Sequence, residues 1–435
     1  MNTRILHAAV LGTLFATTLS AQFADDFNTN TSALYTITQT PDAVATFAFD
    51  YSSLGIPPAP NTTDSTTLGL KLEANVTSAA VNGITLHTAV PFTGSYVVKF
   101  DAWVNANGPF PAGGAGSTEF LTMGVGGNSA TTNVGSTGSG GWFAASGEGG
   151  STRDYRGYKN GGEQFAESGQ FNAGLSSAGG GAHNSSDPYY AQFGSIDVGA
   201  LPQGALYVQQ SGVSGAGSFG FAWHEVEMRV VSDGGTGGAT SVSWSIDGLQ
   251  IATLDAGIGS TFTTDGAVTI GYMDIFTSLS NNPALSFGLV DNLRIGTPAV
   301  ATAFGAGCAG IAGVPALAAA NTPELGGTLQ LDATNLDPAV PIAIMVAGSS
   351  NTTSPFGPLP INLQLAGFGA GCELLVSLDA LLTFSTAAGS GSFTLAIPPS
   401  IQYLGFEIFF QVGSLDSVAV GGLAVSNGIA TTVGL

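Results

Sequence analysis

Two glutamates, Glu225 and Glu227 in "WHEVEMRVV" (Trp223 to Val231), are the nearest this sequence comes to an acid–base pair. On a strand, residues two apart share a face, so both carboxyl groups stand on one side together with Trp223. Hydrolysis of a glycosidic bond needs two carboxyls flanking that bond, and a solvated strand face is the plainer reading of such a pattern. A second stretch, "RDYRGYKNG" (Arg153 to Gly161), interleaves Arg153, Arg156 and Lys159 with Tyr155 and Tyr158. A cation-flanked aromatic face suits a sugar ring or an anionic polysaccharide. Trp142, Tyr189 and Tyr190 would extend that platform. The competing reading packs the tyrosines into a loop and pairs Arg153 and Arg156 with Asp154, Glu148 or Glu163.

Other chemistries are poorly supplied. Past the first residues the chain has three histidines, His87, His183 and His224, and no Gly-x-Ser-x-Gly elbow. No close His or Cys cluster points to zinc. From Phe304 to Leu435 there is no Lys, Arg or His at all, against seven acids. Catalysis in that half would rest on carboxylates alone.

The elements that must carry these residues read as strands. "SYVVKFDAWVN" (Ser95 to Asn105) sets Tyr96, Val98, Phe100 and Val104 on one face, with Lys99, Asp101 and Trp103 on the other. "SVSWSIDGLQIATLD" (Ser241 to Asp255) holds a hairpin signal at Asp247-Gly248. Between about 108 and 220 the alternation dissolves into Gly- and Ser-rich stretches, which reads as long loops. "GTPAVATA" (Gly296 to Ala303) reads as a linker of small residues, and some seven further strand-like runs follow it.

Length and composition frame this. A chain of 435 residues exceeds one ordinary core. Residues 1–21 have the pattern of a cleaved signal peptide, and no later stretch has the roughly 18 apolar residues of a membrane span. The expectation is a secreted, extracellular or cell-surface protein without membrane insertion. With a net charge of −21, nucleic acid is an improbable partner. The only two cysteines, Cys308 and Cys372, each follow Phe-Gly-Ala-Gly. In an exported chain such a pair predicts a disulfide, worth about 4 kcal/mol on the chain-entropy model.

Resemblance adds to this reading. "WHEVEMRVV", "VSWSIDGLQIATL", "GAVTIGY", "FGLVDNLRI" and the opening "DDFNTNTSALY" are together similar to the concanavalin A-like, laminin-G-like jelly roll over residues 22–296. Such folds bind glycans or proteins, or degrade polysaccharides. The Glu-x-Asp-x-x-Glu string of hydrolases with this fold is missing here. The resemblance also makes the first and last strands neighbours, which implies a possible structural calcium among Asp25, Asp26, Asp291 and Asn292; turn hydrogen bonding is the alternative role for these residues. "FGAGC", "PLPINLQLAGFGAGCELLVSLDALL" and "LGFEIFFQVGSLD" resemble a C-terminal β-sandwich module of large secreted bacterial proteins, over residues 304–435 behind a linker at 297–303.

The expectation is therefore an all-β chain: a jelly roll followed by a smaller, disulfide-closed sandwich. It would bind an extracellular glycan or surface protein without catalysis and use its C-terminal module for surface or matrix attachment. A polysaccharide-degrading enzyme acting through Glu225 and Glu227, or a structural envelope protein, are the alternatives.

Overall fold

The computed structural model describes residues 23–164, 170–173, 183–232, 240–257 and 261–435. The expected signal peptide lies outside them. The chain divides into two compact units, Phe23–Ile295 and one that includes Gly296–Leu435. No helix among the described residues is long and apolar enough to cross a membrane.

The first unit is a two-sheet jelly roll built from fifteen strands among the described residues. In chain order they are β1 (Phe23–Asp25), β2 (Tyr35–Gln39), β3 (Ala43–Asp50), β4 (Leu68–Ala74), β5 (Asn82–Thr88), β6 (Tyr96–Asn105) and β7 (Phe120–Gly127). Then come β8 (Gly141–Ser146), β9 (Tyr155–Lys159), β10 (Gly162–Gln164), β11 (His224–Val231), β12 (Ser241–Ile246), β13 (Leu249–Asp255), β14 (Ala267–Asp274) and β15 (Phe287–Gly296). One sheet runs β13-β12-β11-β6-β15-β4-β3, with β1 added to β15; the other runs β10-β9-β8-β7-β14-β5-β2. Between them lies a core that includes Phe27, Leu72, Phe100, Met123, Phe143, Trp244, Ile270 and Leu293.

The eight-stranded sheet shows the alternation that its sequence announces. Along β11 and β12 every second residue is buried, and Tyr96, Val98, Phe100 and Val104 of β6 enter the core. The β12–β13 hairpin turns on Asp247 and Gly248, whose φ angles of 48° and 76° lie in the left-handed region a tight hairpin of this kind requires.

The seven-stranded sheet corrects the expectation of long loops over 108–220, because β7, β8, β9 and β10 all lie within that stretch. Every residue of β5, β7, β8, β9 and β14 is buried. A strand covered on both faces has no polar side to alternate with, so the period-two signal vanishes. Gly124 shows why small residues belong here: a Cβ at that position would stand 2.4 Å from Cβ of Trp142 on the neighbouring strand.

The second unit is a smaller sandwich. A five-stranded sheet orders Val300–Phe304, Leu423–Thr432, Glu407–Leu415, Ile342–Gly348 and Ala380–Ser385; a three-stranded sheet orders Ala316–Ala319, Thr328–Thr334 and Gly391–Ala396. Leu329, Leu331, Met345, Phe393, Phe410 and Val412 fill the space between them. Cys308 and Cys372 are joined in a disulfide, 64 residues apart in sequence, and pack with Val425. The supposed linker at 297–303 is corrected here: Val300–Phe304 pairs from Val300↔Thr432 to Phe304↔Gly428. An edge strand held by backbone bonds can be built from small residues that carry no strong strand signal.

Candidate functional site

The aromatic platform expected around Arg153–Gly161 is dismantled by the alternation of its own strand. Tyr155 faces the core, stacks on Tyr190 at 4.4 Å, and donates from its hydroxyl to the Gly217 carbonyl at 2.7 Å. Tyr158 faces the opposite side and stacks on Trp142 at 3.7 Å with the rings 6° from parallel. Trp142, Tyr155, Tyr158 and Tyr190 are all buried, and the half-buried Tyr189 donates to the Gln250 carbonyl. Arg156 is also buried, lies over the Phe120 ring at 4.8 Å, and donates to both carboxylate oxygens of Glu163. Arg153 bridges to the same Glu163 at 3.0 Å. These residues are internal braces in the described structure and present no platform.

The face on which Trp142 and Tyr158 lie is closed by the segment between β7 and β8. Asn133 donates from its backbone to Thr85 Oγ1 and from its side chain to Thr269 Oγ1, and its Oδ1 accepts from the Ser139 backbone. Val134 packs with Phe120, Trp142, Tyr158 and Met273. His87 is sealed on the same sheet, and burial lowers its pKa to about 4.

Glu225 and Glu227 are side by side on β11, bound into an ion-pair ladder. Arg294 reaches Glu225 at 3.2 Å, Lys99 reaches Glu227 at 3.3 Å, and Arg229 donates to Glu227 at 3.1 Å. Asn61 also donates to Glu225. Two carboxylates on one strand face do not oppose each other across a bound sugar, which is the arrangement glycosidic cleavage requires.

The four residues proposed for calcium are not gathered into one site: Asp25 is turned away from Asp291. Asp25 faces the core side, where its oxygens accept from the Phe27 backbone, the Thr31 hydroxyl and the Tyr35 hydroxyl. Asp291 faces the other side of the eight-stranded sheet and accepts from the Tyr51 hydroxyl and the Asn292 backbone. Asp26 caps the Asn28 backbone. Asn292 points an amide donor at Asp101, a group that would meet a cation badly. No group of three or more His, Cys, Asp or Glu among the described residues is placed to hold a metal ion. Their oxygens anchor turns and loops through these hydrogen bonds.

That anchoring builds a different site. Asp101 accepts from the Asn61 backbone at 3.0 Å, the Asn61 side chain at 2.7 Å and Asn292 at 2.8 Å. Tyr51 donates to Asp291 and accepts from the Ala59 backbone. Burial raises the pKa of Asp291 to about 7, helped by the nearby Asp101 and Asp26 charges. Together these bonds fasten residues 51–62 across the outer face of the eight-stranded sheet, and the fastened segment becomes one wall of a cavity. Ser52, Gly55, Ile56 and Pro57 line it on that side, Leu201, Pro202 and Gln203 on another, and Trp103, Phe221, Ala222 and Trp223 complete it.

The cavity has a volume of about 570 Å³, within the range of small-molecule sites. The β6–β11 register that pairs His224 with Ala102 sets Trp223 beside Trp103, and their rings meet edge to face at 5.9 Å. Trp223 is half-buried and donates to the Pro57 carbonyl at 2.8 Å. Trp103 is buried with no partner for its indole nitrogen, and Gln203 is buried with no partner for Oε1. The strand alternation in the sequence places Trp103 and Trp223 each on an outward face, and only the register of β6 against β11 brings them together.

No family model matches this sequence, and no curated protein matches it. Solved structures similar to it include the Emp46p carbohydrate recognition domain in its metal-free form. That similarity has 8% identity, covers 62% of this chain and 90% of that chain, and has a TM-score of 0.30. The endo-β-1,4-glucuronan lyase of the fungus Trichoderma reesei is similar at 10% identity, covering 63% and 95% of the two chains with a TM-score of 0.29. A legume lectin-like domain from Entamoeba histolytica has 6% identity, covers 59% and 90%, and has a TM-score of 0.25.

Proposed function

We propose that this is an exported glycan-binding protein that holds a sugar in the Trp103–Trp223 cavity, with the C-terminal unit as a module for surface or matrix attachment. The observation that carries the proposal is the half-buried Trp223 ring, which lines the cavity together with Trp103 and Phe221. Aromatic walls suit the apolar face of a pyranose ring, while a few polar groups orient its hydroxyls. No charged side chain lines the cavity, and the chain as a whole carries a net charge of −21. An uncharged sugar is therefore favoured over a uronate, which this acidic chain would repel.

A glycan array of neutral and uronic-acid oligosaccharides, read with the wild-type chain and the Trp223→Ala and Tyr189→Phe variants, tests this. Binding to neutral glycans that disappears with Trp223→Ala and survives Tyr189→Phe is the expected result. Binding indifferent to Trp223→Ala removes the cavity from consideration. Release of reducing ends or unsaturated products from any bound polysaccharide would favour the enzyme reading, with Glu225→Gln as its first variant.

A further inference from the structure

We propose that the open edge of the five-stranded sheet in the second unit, strand Ala380–Ser385, is a docking site for an extended segment of another protein that alternates apolar residues with Lys or Arg. The inference builds on the attachment role proposed for this unit and specifies its partner.

Ala380–Ser385 closes the sheet and, among the described residues, pairs only with Ile342–Gly348, so half of its backbone groups face outward. Natural edge strands are protected by charges, proline or a bulge. This one reads Ala-Leu-Leu-Thr-Phe-Ser and has no charge or proline, and its register against Ile342–Gly348 runs without a shift. Phe384 turns into the core, while Leu381 stands on the outer face at 63% exposure.

Beside Leu381 lies an apolar groove of about 210 Å³. Ile344 and Val346 form its floor, with Phe368, Leu378 and Leu381 on its sides. Gln411 is the one polar side chain lining it, and its amide is already spent: Oε1 accepts from the Leu375 backbone, and Nε2 donates to the Glu373 and Ser426 carbonyls. The groove thus offers a ligand apolar contact only. A strand added at the edge would send alternate side chains over this groove and the rest into solvent.

Charge decides which strand. From Phe304 to Leu435 there are seven acids and no Lys, Arg or His, and exposed Asp379 immediately precedes the edge strand. Two copies of this unit repel each other, whereas a cationic segment is drawn in.

The test uses the full chain and three labelled ten-residue peptides: one alternating valine with lysine, one alternating valine with glutamate, and one alternating serine with lysine. Fluorescence anisotropy measures affinity, and hydrogen exchange locates it. The valine–lysine peptide should bind, weaken with added salt and protect the amides of Ala380–Ser385; the other two should bind at least about tenfold more weakly. Leu381→Lys, a change at an exposed position, should cost about tenfold or more with the melting temperature unchanged. Equal binding of the valine–glutamate peptide, protection elsewhere, or no binding overturns the proposal. Self-association that protects the same strand overturns the partner and assigns the edge to a second copy. A chain that binds glycan through Trp223 but ignores all three peptides loses this proposal alone.

Discussion

The outer faces of the two sheets in the jelly roll make opposite use of the same ingredients. On the seven-stranded sheet, Trp142 lies flat on Tyr158, 3.7 Å away, under a segment pinned by Asn133. On the eight-stranded sheet, Trp103 and Trp223 meet edge to face at 5.9 Å and border a cavity that the fastened segment walls on one side, with Trp103 buried and Trp223 half-buried. Stacked and sealed rings spend their surface on stability, whereas rings left at a cavity wall keep it for a ligand. Aromatic content alone does not tell the two apart.

The strongest way to break this contrast is Trp142→Ala. Removing a fully buried ring should cost about 3–5 kcal/mol, read as a fall of roughly 10 °C in the melting transition of the first unit. A loss below about 1 kcal/mol would mean that the closed face is not a packed one. Asn133→Ala should cost about 1–3 kcal/mol by stripping its side-chain bonds to Thr269 and Ser139, and should expose Trp142 fluorescence to acrylamide quenching. Unchanged quenching would show that the covering segment is held by other means.

The closed sheet should also respond to pH in a definite sense. Burial and the Asp154 charge push Glu148 up to about 8, and burial raises Asp274 to about 7. Both acids bind a proton more tightly when folded, so they contribute stability at low pH that is lost as pH rises through their folded pKa values. His87, lowered by burial from 6.5 to about 4, acts oppositely: its contribution is lost as pH falls through that interval. Among these three groups, only the acids act between pH 6.5 and 8. Lowering the pH from 8 to 6.5 should therefore raise the melting temperature by a few degrees, and Glu148→Gln should flatten the rise. A melting temperature that increases with pH across this window contradicts the assignment.

Effects on the open face should be smaller in stability and larger in binding. Trp223→Ala should cost about 1–2 kcal/mol by calorimetry while abolishing sugar binding. Glu227→Gln weakens two solvent-accessible ion pairs, so its effect on unfolding should stay below about 1 kcal/mol. A larger loss would show that the ladder on β11 is a structural element in its own right.

The eight-stranded sheet was readable from sequence because one of its faces is partly wet along β11 and β12, which alternate accordingly. The seven-stranded sheet was not, since covering on both sides erases that period and leaves glycine and alanine where loops also place them. At Arg153–Gly161 the sequence leaves two readings open, because an arginine paired with Glu163 and a surface cation look alike in sequence; the structure has the pair. The cavity depends on which residue of β6 meets which residue of β11, and on Asn61 reaching Asp101 across 40 positions. Trp103 and Trp223 were visible singly, but their meeting was not.

The first strand of the second unit, Val300–Phe304, has the last one, Leu423–Thr432, as its neighbour in the sheet. During synthesis the early strand has no partner until about 120 further residues have emerged, a long-range closure of the slow-forming kind. Any chain cut short before Leu423 would leave Glu407–Leu415 bare on one side as well. The five-stranded sheet therefore closes only once Leu423–Thr432 is in place.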